Sequence, residues 1–120
     1  THSNYATAFA VVGKPILPCL TMIAEEFGSA IPVSDFARIG GEDIGYEIIR
    51  SIGSCSAILM KNHGIFTLGR SPAEATNLPV TLEDVAKTTW LAMQIGQPIL
   101  LNDEEIAYHF SWAKQCYGQE

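Results

Sequence analysis

No two cysteines in this chain lie close enough to form a metal knuckle or a redox pair. The three present, Cys19, Cys55 and Cys116, are widely separated, odd in number and outside any CxxC spacing. That excludes a disulfide scaffold and predicts reduced thiols in a cytoplasmic protein. No apolar run approaches the roughly 18 residues a membrane-spanning helix needs, and no basic-then-apolar leader opens the chain, so a membrane is not an expected partner. Basic residues are scarce: 7 Lys and Arg stand against 13 Asp and Glu, for a net charge of −6. Phosphate-backbone binding needs clustered Lys and Arg, and here they are scattered, so nucleic acid is excluded as well. The acid excess mainly favours solubility. There is no internal repeat and no low-complexity segment. Nor does a methionine open the chain. Thr1 enters mid-pattern, and the expectation is that the N-terminal part of a larger domain is absent.

What is present suits one compact domain over residues 1–120, with an apolar fraction of 48% to build its core. "YATAFAVVGKP" puts small and apolar side chains on most faces and predicts a buried helix stopped at Gly13. "ILPCLTMIAEEFG" predicts a short strand or loop and then a helical turn closed by Gly28. "AIPV" is extended, because the residue before proline is pushed toward β. "GGEDIGYEIIRSIG" predicts a helix with Ile44, Ile48 and Ile49 on one stripe and Arg50 near its end. "SAILMKNHGIFTLG" predicts two β-runs, Ala57 to Met60 and Ile65 to Leu68, around a turn that Asn62 and Gly64 make feasible. Ser71-Pro72-Ala73-Glu74 is a helix start, with Ser as N-cap and Pro at the first helical position. That helix should stop at Gly96, with a kink or a restart near Thr81 imposed by Pro79. A last helix follows, with Asp103 as its candidate cap. Helices interleaved with short β-runs give an α/β architecture, and the hairpin means the sheet is not purely parallel.

Three histidines could carry chemistry: His2 in "THSNYAT", His63 in "NHG", and His109 in the last helix. Two separated histidines on β-elements can share a metal. A catalytic zinc takes three protein ligands, commonly His with one acid, and leaves a position open. From composition alone, a structural or simply exposed role stays open for each.

Four stretches, "THSNYATAFAVVGKPI", "TMIAEEFGSAIP", "ILMKNHGIFTLGRSPAEA" and the closing "YGQ", resemble the class II aldolase/adducin-head family, in order and over essentially the whole chain. The likeness is closest to its L-ribulose-5-phosphate 4-epimerase branch, with fuculose-phosphate aldolases as near relatives. The resemblance implies a three-layer α/β/α fold with a mixed, largely antiparallel central sheet. It also implies a divalent metal, Zn2+ or alternatively Mn2+, held by an H-x-H pair and a later histidine in "HG". His2 matches the second half of that pair and His63 the third ligand; the first would fall before Thr1. Glu25 matches an acid/base position where the branch has Asp, and is otherwise one of a solvated Glu25–Glu26 pair on a helix end. Tyr117 matches a C-terminal tyrosine that reaches a neighbouring subunit's site as proton donor, or packs the last helix. His109 does not match the epimerase's late histidine without a gap and stands outside the expected site.

The activity so implied is a zinc-dependent epimerisation of a ketose phosphate such as L-ribulose 5-phosphate. It would proceed by retro-aldol cleavage, rotation of the aldehyde fragment and re-addition. Thr21 stands where the aldolase branch has a catalytic tyrosine, which favours the epimerase. The alternatives are a class II aldolase of the fuculose-phosphate type and a non-catalytic, adducin-head-like assembly domain. The expected partners are a small sugar phosphate and further copies of the chain in a homotetramer. The isolated 120 residues are expected to be inactive.

Overall fold

The computed structural model describes residues 1–117, with side chains as far as Cys116. The chain runs through helices α1 (Asn4–Val12), α2 (Thr21–Phe27) and α3 (Asp43–Ser51), strands β1 (Ala57–Met60) and β2 (Gly64–Thr67), and helices α4 (Pro72–Ile95) and α5 (Asp103–Tyr117). Local signals set most of these bounds. Gly13, at φ 66°, ends α1 by donating to Ala10 O while Lys14 N reaches back to Phe9 O. This left-handed stop costs a glycine little. At α4, Ser71 Oγ accepts from Glu74 N, with Pro72 at the first helical position.

Strand β2 starts one residue earlier than the expected Ile65 to Leu68, and three further details depart from the local reading. Helix α4 continues through Pro79 with no restart near Thr81. The lost backbone bond is offset by Leu78, Leu82, Val85 and Ala86, all buried on either side of the proline. Asn102 rather than Asp103 caps α5. Glu105 N donates to Asn102 Oδ1 at 2.8 Å, and Asn102 N donates to Glu105 Oε2 at 3.0 Å. The stripe of α3 facing the sheet is Ile44, partly buried, then Ile48 and the C-cap residue Ile52, whereas Ile49 is 76% exposed. Steps of four residues stay on one helical face; a fifth step leaves it.

The hairpin is antiparallel, pairing Ala57 with Thr67 through Met60 with Gly64. Backbone bonds extend it on both sides. Beyond β2, Thr1 N donates to Ile65 O at 2.8 Å and Ile65 N to Thr1 O at 2.9 Å, the reciprocal pair of an antiparallel ladder. Beyond β1, Leu59 N donates to Pro32 O and Ser34 N to Leu59 O, a parallel bridge. Ile31 then pairs antiparallel with Ile16. The sheet is mixed and largely antiparallel, as the fold class requires.

Helices cover both faces. Phe9, Leu78, Leu82, Val85 and Ile65 share the main core, which Ile23 and Phe27 of α2 join. On the other face Ile48 and Ile52 pack on Ile58. This is a three-layer α/β/α arrangement. Helix α5 lies against α2, where Gly28 sits beneath the Phe110 ring. Leu82 is fully buried in the main core. Leu82→Ala is therefore expected to lower unfolding stability by about 2–5 kcal/mol, measured by urea denaturation. A loss below about 1 kcal/mol would contradict the packing of α4 on the sheet. Among the described residues, no helix is long and apolar enough to cross a membrane, and Cys19, Cys55 and Cys116 are free thiols.

Candidate functional site

The turn between β1 and β2 carries His63. His63 N donates to Met60 O at 2.9 Å, and Asn62 adopts φ 59°, a conformation that asparagine tolerates better than most residues. Asn62 N also donates to Ala10 O at 3.2 Å, which ties the turn to α1. His2 comes to the same place by another route. Thr1 is paired with Ile65 on β2, and the chain enters α1 at Asn4. His2 is therefore fixed between a strand pairing and a helix start, one strand away from His63.

The two imidazoles meet. Their ring centroids lie 5.2 Å apart with planes inclined by 30°. His2 is exposed and His63 half-buried, and among the described residues neither ring has a hydrogen-bond partner. Tetrahedral zinc bound through imidazole nitrogens at about 2.0–2.1 Å sets two ring centres roughly 5 Å apart. The observed separation fits a metal held between the rings. No third His, Cys, Asp or Glu joins them among the described residues. Gly64 makes the approach possible: a Cβ there would run into the Thr1 carbonyl oxygen and lie 3.0 Å from His2 Cδ2.

Glu25 lies elsewhere. It lines an open groove with Glu26, Arg70, Glu74, Phe110 and Lys114, and neither His2 nor His63 lines that groove. Glu26 keeps much of its surface in water. Even so, partial desolvation against the groove wall pushes its carboxyl up, and the Glu25 and Glu74 charges add to this. Glu74 is held down mainly by the backbone N–H of Arg70. Across the α2–α5 contact His109 Nδ1 stands 3.8 Å from Glu25 Oε1. The histidine left outside the expected site thus faces one of its acids, through a helix packing that no sequence spacing reveals. The Tyr117 side chain lies outside the described residues; its backbone closes α5. Thr21 opens α2 and is exposed.

Residues 1–90 match the family model described as the class II aldolase and adducin N-terminal domain. The chain belongs to that family. Among similar proteins is a 5-methylthioribulose-1-phosphate/5-deoxyribulose-1-phosphate aldolase from Rhodospirillum rubrum. It is 28% identical over 106 residues, which is 88% of this chain and 48% of that protein. An L-fuculose phosphate aldolase from Methanococcus maripaludis is 34% identical over 99 residues, 81% of this chain and 52% of that protein. A solved L-fuculose 1-phosphate aldolase superposes with a TM-score of 0.90 at 29% identity, over 95% of this chain and 53% of that one. The chain spans about half the length of the curated relatives it matches.

Proposed function

We propose that the chain carries two ligands, His2 and His63, of a divalent-metal centre in a class II lyase that cleaves a ketose phosphate between the carbons α and β to its ketone. The observation that carries this reading is the 5.2 Å approach of two imidazoles otherwise unpartnered among the described residues, held by the Thr1–Ile65 backbone pair. The relatives named as fuculose-phosphate and methylthioribulose-phosphate aldolases support the reaction and substrate class. In this reading the remaining ligands and the phosphate cradle belong to the part of the relatives that this chain does not match. Bound there, the metal supplies Lewis acidity, which stabilises the negative charge developing on the ketone side by several kcal/mol. Zinc is the working choice and manganese the alternative, because imidazole suits both.

His63, on the turn between β1 and β2, and His2, next to the Thr1–Ile65 backbone pair, hold the metal through their imidazoles. Glu25 and Tyr117 move protons at the hydroxyl where the bond breaks. Glu25 faces a different groove from the histidine pair, so in this reading it serves a neighbouring copy's centre, and the working unit is a homo-oligomer, as a tetramer in the cytoplasm. Thr21, placed where the aldolase branch has tyrosine, favours a second reading in which the same cleavage is reversed on the aldehyde's other face, giving a 4-epimerase.

The test is to incubate zinc-loaded full-length protein with L-fuculose 1-phosphate, 5-methylthioribulose 1-phosphate and L-ribulose 5-phosphate, with and without chelator. Chelator-sensitive release of dihydroxyacetone phosphate from one of the two 1-phosphates is the expected result. Conversion of L-ribulose 5-phosphate to its 4-epimer without fragment release would select the epimerase. No turnover of any of the three by metal-loaded protein would overturn both and leave an assembly role.

A further inference from the structure

Helix α1 begins two residues after His2, yet nothing local caps it. The residue at its N-cap, Ser3, is of the type that normally does so, but its side chain makes no capping bond, and its Oγ is buried without a partner among the described residues. The first turn holds no acidic residue. Two of the nitrogens left over are taken by α4 instead. Glu83 accepts from Tyr5 N at 2.8 Å through Oε1 and from Ala6 N at 2.9 Å through Oε2. A carboxylate accepting two N–H groups at a helix N-terminus gains charge-assisted bonds and the favourable end of the helix dipole. The same face of α4 grips Tyr5 further. Lys87 Nζ lies 5.7 Å from the Tyr5 ring centroid, and the Trp90 ring centroid lies 5.9 Å from it.

This places Glu83 in a particular mechanical position. His2 has two backbone anchors, Thr1 on β2 before it and the start of α1 after it. The first is a strand-edge pair. The second depends on a side chain 78 residues away in sequence. Without Glu83 the first turn of α1 is free to fray, and His2 keeps only the strand anchor.

We propose that Glu83 is a positioning residue for the metal centre: by capping the first turn of α1 it fixes the His2 imidazole against His63. The inference rests on the metal reading above. A site of this kind needs its groups held to within about 0.5 Å. Partners that orient a metal ligand typically cost 10- to 100-fold in metal affinity when removed.

The experiment uses full-length protein as wild type, Glu83→Ala, Glu83→Gln and His63→Ala, with Glu47→Gln as control. Glu47 likewise accepts a backbone N–H, that of Asp35, but on α3, which packs on the opposite face of the sheet from α1 and α4. Amide exchange at Tyr5 and Ala6 is measured without metal. Zinc affinity is measured by chelator competition, and the bound geometry by the absorption spectrum of Co2+. Faster exchange at Tyr5 and Ala6 is expected in Glu83→Ala, together with zinc binding weakened by about 10- to 100-fold and an altered cobalt spectrum. Glu83→Gln keeps one acceptor oxygen and should restore part of each, while Glu47→Gln changes none. If Glu83→Ala does not fold, the Gln variant carries the same comparison. Wild-type zinc affinity and cobalt spectrum in a folded Glu83 variant with accelerated exchange would overturn the proposal, reducing Glu83 to a helix cap. Equal zinc affinity in wild type and His63→Ala would overturn the metal reading itself, and the inference with it. The exchange data alone cannot produce that second result, so the two failures are told apart.

Discussion

His63→Ala is expected to strip the metal and abolish turnover while leaving the fold in place. Structural zinc is bound with about 10–16 kcal/mol shared among four ligands, so one imidazole is worth about 10²–10³-fold in affinity. The fold should tolerate the loss because the backbone makes the turn. His63 N bonds Met60 O, and the positive φ belongs to Asn62. The His63 side chain contributes ring contact with His2 and, among the described residues, no hydrogen bond. Its removal should therefore change stability by no more than about 1 kcal/mol. Metal per chain after gel filtration, read beside a thermal melt, checks both halves of the expectation. His109→Ala is the matched control: that ring faces Glu25 across the α2–α5 contact, so zinc content should not move. Full zinc and full turnover in His63→Ala would remove His63 from the site. A cooperative melt lost together with the zinc would mean that the ring holds the hairpin rather than a metal.

How much of this was readable beforehand follows from the range of each signal. Caps and turns act within about four residues, so Gly13, Ser71, Gly96 and the Asn62 turn place their element ends correctly. Of the kink or restart that Pro79 implies, the restart does not occur, because burial of Leu78 and Leu82 around the proline outweighs its local cost in a helix. Asp103 loses the cap to Asn102, since Glu105 sits three residues after the asparagine and can answer it. The histidine pair is legible only through family resemblance. Nothing in the local pattern says that Thr1 lies against Ile65, because that pairing joins residues 64 apart. The same holds for Glu83 and Tyr5, and for Glu25 and His109. Such contacts come from the path of the chain through three layers. Side-chain types alone do not announce them.

Gly64→Ala tests whether that long-range pairing builds the site. In most strand positions the change would stabilise, because glycine gives up more backbone freedom than alanine, by about 0.5–1 kcal/mol. Here the sign should reverse. The new Cβ would run into the Thr1 carbonyl oxygen, which is backbone and cannot rotate aside, and would lie 3.0 Å from His2 Cδ2. Strand β2 is held on its other side by the ladder to β1, with Gly64 opposite Met60, so the segment that gives way is Thr1 to Ser3. Losing both Thr1–Ile65 bonds costs about 1–3 kcal/mol at 0.5–1.5 each. The displaced His2 then costs more than stability, since a shift of about 1 Å is worth about 10²-fold in rate. The expected outcome is a protein that still melts cooperatively, at a lower temperature, with zinc affinity reduced by about 10- to 100-fold and turnover by about 10²-fold. The comparison with His63→Ala is informative, because Gly64→Ala removes no ligand atom. If it nonetheless reproduces the metal loss, the spacing of the two rings is set by the Thr1–Ile65 pair. If it melts lower yet binds zinc as the wild type does, His2 is held by something other than that pair, and the strand-edge origin of the site is wrong.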